Sequence, residues 1–388
     1  MFKIQLLNSI ATTGLRLFPN ELYEVGTEVA NPDAILVRSS DMINMAIPSS
    51  VKVVGRAGAG VNNIPVARLT EQGIPVLNTP GANANAVREL VIGSMLLASR
   101  NIYQALDYVK HLTSNGLELD KQVEQNKKQF VGFELMGKTL GLIGLGSVGV
   151  KVANAAIALG MKVIGYDPNI TVNRAWELSA DVQQAPSMEG LLASSDFISV
   201  HVPLMKETHH LINQTSMQIM KPGVILLNFS REGIVDNQAI LDALNEKKVA
   251  LYINDFPNAF FKDQSKIISL PHLGASTLEA EENCAVMVVK QVREFLERGN
   301  IINSVNFPYV EFPSNKNEKR LAIVNKNIPN MVAQISAKLA AAGFNIGSLL
   351  NKSKDDIAYT MIDIDALVPQ NILQEIAKIE GVIQVRQL

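Results

Sequence analysis

An α/β architecture with largely parallel sheets, closed by a small βαββαβ module, is the fold class this sequence predicts. Three features predict it: two successive runs of short apolar strands alternating with helical segments, near-continuous apolar character in the strands of the second run, and a change of rhythm after a polar, proline-containing stretch. Short apolar runs without in/out alternation fit parallel strands covered on both faces. At 388 residues the chain is long for one domain, and about two or three are expected.

The first run reads FKIQLL, AILVRS, KVVGRAG and PVLNT, β-rich segments bounded by Gly, Asn, Ser or Pro. AVRELVIGSMLLASRNIYQALDYV follows as a long helical pattern, and the polar TSNGLELDKQVEQNKKQ covers the join. The second run starts near Lys138 with KTLGLIG, MKVIGYD, FISVHVP, VILLNFS, ALYINDF and KIISLPH. A long helix, TLEAEENCAVMVVKQVREFLERG, comes next, and NFPYVEFPSNKNEK reads as a linker. Beyond it RLAIVNK, PNMVAQISAKLAAAG, NIGSLLN, IAYTMIDID, NILQEIAKI and VIQVRQ spell βαββαβ, the order of a ferredoxin-like domain.

Composition narrows the function classes. With 47% hydrophobic residues, 19% charged residues and a net charge of −2, nothing points to nucleic acid or an anionic membrane as partner. A single cysteine, Cys284 in NCAVMVV, excludes an internal disulfide and a cysteine metal cluster; its apolar helical setting predicts a buried, inert thiol in a reducing compartment. The start, MFKIQLLNSIATTG, lacks a signal-peptide pattern, and no charge-free apolar run is long enough to span a bilayer. A soluble, cytoplasmic protein is expected. His111, His209 and His210 read as loop residues, and no metal site is expected.

The sharpest motif is LGLIGLGSVGVKVANAAIALGMKVIGYDP. Gly144, Gly146 and Gly149 have G-x-G-x-x-G spacing after a strand and before a helix, and Asp167 ends the next strand 23 residues beyond Gly144. The first glycine permits the turn, the second lets backbone approach a pyrophosphate, and the third lets helix and strand pack closely. The helix N-terminus offers free N–H groups, while Asp167 would bind the ribose hydroxyls and repel a 2′-phosphate. NAD is therefore the expected cofactor, in a Rossmann-like lobe. The earlier GRAGAGVNN lacks a third glycine; it reads as a strand-end loop whose N–H groups and Arg56 suit an anion. Two more strand ends carry charge, Arg231 in NFSREGIVD and His272 in SLPHLGAST, and in an open α/β sheet such ends face the ligand crevice.

With GLIGLGSVG, YDP, HVPLMKETHHLIN, NFSREGIVD and PHLGAST in this order, residues 1–305 resemble the D-isomer-specific 2-hydroxyacid dehydrogenases. The resemblance implies a substrate-binding domain from residues 1–97 and 283–305, with an NAD-binding domain, 98–282, inserted into it. A linker, 306–319, would lead to a module over 320–388 that resembles an ACT domain. By the same resemblance the cofactor set is Gly144, Gly146, Ser147, Val148, Gly149 and Asp167, then Val202, Pro203, Phe229, Ser230, Arg231, Asp255, His272 and Gly274. Arg231 would grip the substrate carboxylate or neighbouring oxygen, and His272 would exchange the hydroxyl proton.

GRAGAGVNN, NTPGAN and the ACT-like module point, within the family, to members that interconvert D-3-phosphoglycerate and 3-phosphohydroxypyruvate in serine synthesis. Arg38 and Arg56 would then meet the phosphate, although Ala59 stands where relatives often carry a hydroxyl. Other members act on glycerate or hydroxypyruvate, and a binding protein that senses NAD is a third reading. The module implies a homo-oligomer (dimer or tetramer) and L-serine as a regulator, with Asn325, Asn327 and Asn345 at the ligand positions; Asn330 would make the turn that relatives make with glycine.

One expected group is missing. The resemblance calls for a glutamate partner of His272 at a position that falls on Ala259 or Phe260. Either Asp263 substitutes for it, or His272 works without a carboxylate and the pH optimum for reduction shifts toward acid. In this reading Asp255 holds the nicotinamide carboxamide.

Overall fold

Apolar strands of the first run, Phe2–Leu6 (β1), Tyr23–Gly26 (β2), Ala34–Val37 (β3), Val53–Arg56 (β4) and Val76–Leu77 (β5), pair in parallel in the order β2-β1-β3-β4-β5. The structure is a computed structural model that describes residues 1–313 and 319–388, so positions 314–318 of the expected linker lie outside the described residues. The second run forms Thr139–Ile143 (β6), Lys162–Tyr166 (β7), Gln183–Gln184 (β8), Phe197–Val200 (β9), Val224–Asn228 (β10), Val249–Asn254 (β11) and Ile267–Ser269 (β12). These seven are parallel in the order β12-β11-β10-β9-β6-β7-β8. Lys319–Lys326 (β13), Ile346–Lys354 (β14), Ile357–Ile364 (β15) and Val382–Gln387 (β16) make an antiparallel sheet in the order β14-β15-β13-β16, the ferredoxin-like arrangement. The α/β class with two Rossmann-like sheets and a βαββαβ module is thus as expected.

The chain divides into two units, Met1–Ala82 with Leu278–Leu388, and Asn83–Thr277. Sequence reasoning put residues up to 97 in the first lobe. The helix Ala84–Ser99 lies instead in the second unit, because Val87, Val91, Met95 and Ala98 join the apolar cluster that holds Val150, Ala153 and Ala156 of the helix Ser147–Ala158. The other boundary falls at Leu278, the first residue of the helix Leu278–Arg298, rather than at 283.

Within the first unit the helix Leu278–Arg298 turns Cys284, Val288, Val292 and Phe295 into one core with Ile4, Leu36 and Val53 of the parallel sheet. Ala322, Val324, Tyr359 and Met361 of the antiparallel sheet join the same core. Arg320 fixes that packing: its Nε and Nη2 donate to Asp363 at 2.6 and 2.8 Å, and its other N–H groups reach the carbonyls of Arg298, Phe312 and Pro313. Both side chains of this pair are more than nine-tenths buried, so only full hydrogen bonding offsets their desolvation. Tyr359 donates to the Gly299 carbonyl at 2.8 Å, and Arg386 stacks 4.2 Å above the Phe295 ring. No described helix is long and apolar enough to cross a membrane.

Candidate active site

In the second unit the strand order reverses between β6 and β9, the switch point where an open parallel sheet leaves a crevice at its carboxyl edge. One register row crosses that edge: Tyr166, Ile143, Val200, Asn228, Asn254 and Ser269 are successive partners on β7, β6, β9, β10, β11 and β12. Asp167, Gly144, His201, Phe229 and Asp255 follow it directly, and Arg231 and His272 lie three residues past it. Segments far apart in sequence are therefore brought to one edge by strand register alone.

The glycines have separable duties. Gly144 has φ +95°, and a Cβ there would stand 2.8 Å from the His201 carbonyl oxygen. A Cβ on Gly149 would come within 2.1 Å of the Gly144 carbonyl oxygen, so that glycine serves helix–turn packing. Gly146 is different: it precedes Ser147 and Val148 of the helix Ser147–Ala158, no side chain caps that N-terminus, and a Cβ on it would meet no atom of the chain. Asp167 braces the turn, its two carboxylate oxygens accepting from Leu145 N at 2.8 Å and Asn169 N at 2.9 Å. His201 is part-exposed as a residue, but its ring bonds Ser199 Oγ at 2.9 Å, and burial pushes its pKa down to about 4.

The loops after β9 and β10 are set by buried polar side chains. Asn228 Oδ1 accepts from Ser230 N, and its Nδ2 donates to the Arg231 carbonyl at 2.9 Å. Ser230 Oγ donates to the Val200 carbonyl at 2.7 Å, and Phe229 is buried in the core. Arg231 is half-buried, with Nη1 donating to the Ser230 carbonyl at 2.7 Å. Val202 packs as a partly buried residue against the second unit's core, and Pro203 accepts through its carbonyl from Thr208 Oγ1 at 2.6 Å.

Asp255 does something sequence reasoning did not assign to it. The residue is 2% exposed, and its Oδ1 and Oδ2 accept from Leu273 N and Gly274 N, each at 2.7 Å. Burial pushes its pKa up, against the pull of those amides and of the nearby His272. The clamp holds His272 at φ +59°, a left-handed conformation that few non-glycine residues adopt. The His272 side chain is exposed and meets Phe256 edge-to-face at 5.4 Å.

Asp263 is not brought to His272. It lies in a separate hollow of about 990 Å³, with Tyr103, Asp107, His111 and Phe261, and forms no ion pair with the histidine. Ala259 and Phe260 sit in a short 3₁₀ helix, Ala259–Phe261, and offer no carboxylate.

In the first unit, Asn8 Oδ1 accepts from Arg38 N, Ser39 N and Ser40 N at 3.0, 3.1 and 2.9 Å, shaping the loop after β3. Arg56 Nε donates to the Arg38 carbonyl at 3.2 Å. The Arg38 guanidinium is paired through Nη2 with Glu281 at 2.5 Å. In the antiparallel module the side chains of Asn325 and Asn327 are engaged, while Asn345 is bonded through its backbone. Asn325, 1% exposed, bonds the Lys326 carbonyl and accepts from Thr360; Asn327 donates to the Asp355 carbonyl; Asn345 N donates to Asp365. Asn330 has φ +71° at the start of the helix Met331–Ala341.

Residues 92–276 match the profile of the D-isomer specific 2-hydroxyacid dehydrogenase NAD-binding domain. A hydroxypyruvate reductase from Thermotoga maritima is 37% identical over 295 residues, which are 73% of this chain and 90% of that one. The chain belongs to the D-isomer-specific 2-hydroxyacid dehydrogenase family. A D-3-phosphoglycerate dehydrogenase from Methanocaldococcus jannaschii is 35% identical over 321 residues, 80% of this chain and 59% of that one. The chain spans little more than half the length of the first relatives it matches. Among solved structures, the NAD+-bound 3-phosphoglycerate dehydrogenase of Entamoeba histolytica has 27% identity and a TM-score of 0.62, covering 80% of this chain and 99% of that one.

NAD, the cofactor of this dehydrogenase family's domain, fits the residues present. Gly146 leaves the uncapped helix N-terminus open to a pyrophosphate, and Asp167 stands at the end of β7 where a ribose diol would meet an acid.

Sequence reasoning missed Asn228, Asn254 and Asn8. The first two are fully buried polar residues closing apolar strands, NFS and NDF, and that pattern was a readable signal. It also missed the bond from Asn258 Nδ2 to Glu232 Oε1, which joins the loops after β10 and β11. Nothing in sequence spacing marks that contact.

Proposed function

We propose that this chain interconverts D-3-phosphoglycerate and 3-phosphohydroxypyruvate with NAD, at the entry to serine synthesis. The observation that carries the reading is the single register row beyond which the glycine turn, Asp167, Arg231, Asp255 and His272 all emerge. NAD supplies the hydride acceptor when bound. Arg231 offers a planar fork to the carboxylate and the adjacent oxygen of the substrate. His272 takes the hydroxyl proton in oxidation and returns it to the carbonyl oxygen in reduction. Asp255 acts on the histidine loop through Leu273 N and Gly274 N. Arg56 and Arg38 supply positive charge for the phosphate, with Arg38 already paired to Glu281.

A second reading has support from the match to a hydroxypyruvate reductase across 90% of that enzyme, and from the Arg38–Glu281 pair, which leaves less charge for a phosphate. NADH consumption with 3-phosphohydroxypyruvate, hydroxypyruvate and glyoxylate separates the two. Preference for the phosphorylated acid supports the first reading, preference for hydroxypyruvate the second. Tight NADH binding with turnover of none leaves a binding protein.

The chain is proposed to act as a homo-oligomer, a dimer or tetramer. The helix Ile102–Lys110 buries none of its residues and exposes Tyr103, Leu106 and Val109, which supports a covered face. The ACT-like module is proposed as regulatory, with L-serine as the ligand to test; binding through Asn325 and Asn327 would have to replace the bonds they make within the module. A cytoplasmic setting agrees with the buried free thiol of Cys284.

A further inference from the structure

The imidazole of His272 is exposed, and the ring torsion of an exposed histidine is soft, so its orientation needs a cause. The His272 backbone is tied through the Leu270 carbonyl and Ser276 Oγ. Among the described residues, however, no ion pair or hydrogen bond reaches its ring nitrogens. The side chain that meets the ring is Phe256, edge-to-face, with centroids 5.4 Å apart and ring planes at 77°. In that arrangement the positive edge of one ring lies against the negative face of the other. We propose that Phe256 is the positioning residue for the His272 imidazole, with the buried Asn254 setting the two rings at their spacing. This rests on the reading of His272 as the group that exchanges the hydroxyl proton of the substrate.

Phe256 is itself held from both sides. Asn254, fully buried at the end of β11, accepts the Phe256 N–H through Oδ1 at 2.9 Å. Pro257 follows, and a residue before proline is confined to extended backbone. The same asparagine holds the segment that carries His272. Its Nδ2 donates to Ser269 Oγ at 3.1 Å, and its carbonyl accepts from Leu270 N at 2.8 Å. His272 N then donates to the Leu270 carbonyl at 3.0 Å. One buried residue therefore fixes both arms, the one ending in Phe256 and the one ending in His272. A buried amide that made no such bonds would cost more than an apolar side chain in its place.

The action is orientational. An aromatic pair of this kind biases a soft torsion about two- to tenfold, and a proton-transfer group kept at one orientation reacts faster than one that rotates freely. Phe256 carries no charge and exchanges no proton; the proton moves between His272 and the substrate oxygen. Loss of the aromatic ring should therefore lower kcat while KM and the NADH dissociation constant stay in place. A side chain that merely filled the loop would be replaced without loss by leucine, which keeps the apolar bulk and lacks the ring.

The experiment is NMR of the His272 Hδ2 and Hε1 resonances in the full chain, without substrate and at one mildly alkaline pH, assigned by comparison with His272→Asn. Native protein, Phe256→Leu and Phe256→Tyr are compared, with steady-state kinetics on the same three. In native protein and in Phe256→Tyr the neighbouring ring should displace these resonances from their random-coil positions. In Phe256→Leu they should return toward those positions, and kcat should fall about two- to tenfold with KM and NADH affinity unchanged. Resonances still displaced in Phe256→Leu, a native kcat in that variant, or failure of Phe256→Tyr to keep both, overturns the proposal. The resonances are read without substrate, so failure of the proposed reaction, seen as no turnover of any keto acid by native protein, is a separate result.

Discussion

Asp255 grips Gly274: its Oδ2 accepts the Gly274 backbone N–H at 2.7 Å while Oδ1 takes the neighbouring Leu273 N–H. The acid closing β11 thereby fixes the loop after β12, and with it the left-handed backbone of His272. Asp255→Ala strands two inward N–H groups, each costing about 1–3 kcal/mol. The variant should melt earlier and lose about tenfold or more in kcat/KM, because the imidazole is no longer held in place. Thermal melts with steady-state kinetics check this; an intact rate in a folded variant would remove the clamp from the mechanism.

Gly146 and Gly149 should respond oppositely to alanine. Gly149→Ala drives a Cβ to within 2.1 Å of the Gly144 carbonyl oxygen and should cost roughly 1–3 kcal/mol of stability. Gly146→Ala meets no atom of the chain, so stability should hold while NADH affinity drops about tenfold or more, as backbone approach to the pyrophosphate is blocked. Chemical denaturation and NADH fluorescence titration on both variants separate the two duties.

His201 should make the second unit acid-sensitive. Its pKa falls from 6.5 to about 4 on folding because the ring is buried. Between those values the unfolded chain holds a proton that the folded chain does not, so stability drops as pH falls through this window. The loss from this one group should reach ~2 kcal/mol by pH 4.5. Urea unfolding of native protein and His201→Asn from pH 7.5 to 4.5 reads it out: the native slope should be steeper.

Arg320 and Asp363 should be inseparable. Removing either leaves the other charged and buried between the antiparallel sheet and the end of the helix Leu278–Arg298, at a cost of about 3–5 kcal/mol. Arg320→Met with Asp363→Leu should recover much of that loss. A double-mutant cycle by denaturation measures the coupling.

How far the sequence reached depends on what kind of signal each feature left. The strand-end positions of the glycine turn, Asp167, Arg231 and His272 were legible because each follows a short apolar strand. β8, Gln183–Gln184, was not, since both residues are exposed and an edge strand of two glutamines has no apolar pattern. Placement of the helix Ala84–Ser99 in the second unit depends on which core its apolar face enters, and a helical period does not say. The docking of the module left a trace that went unread: Arg320 and Asp363 interrupt the apolar strands RLAIV and MIDID, and a charge at such a position implies a buried partner. Glu232 and Asn258 are 26 residues apart and meet only because β10 and β11 are neighbours.

The most direct test of the account is kcat/KM for 3-phosphohydroxypyruvate with NADH in native protein and in His272→Asn, alongside the NADH dissociation constant of each. Loss of the proposed proton donor should lower kcat/KM by roughly 10²- to 10⁴-fold with NADH affinity unchanged. Turnover in His272→Asn equal to that of the native chain would contradict it.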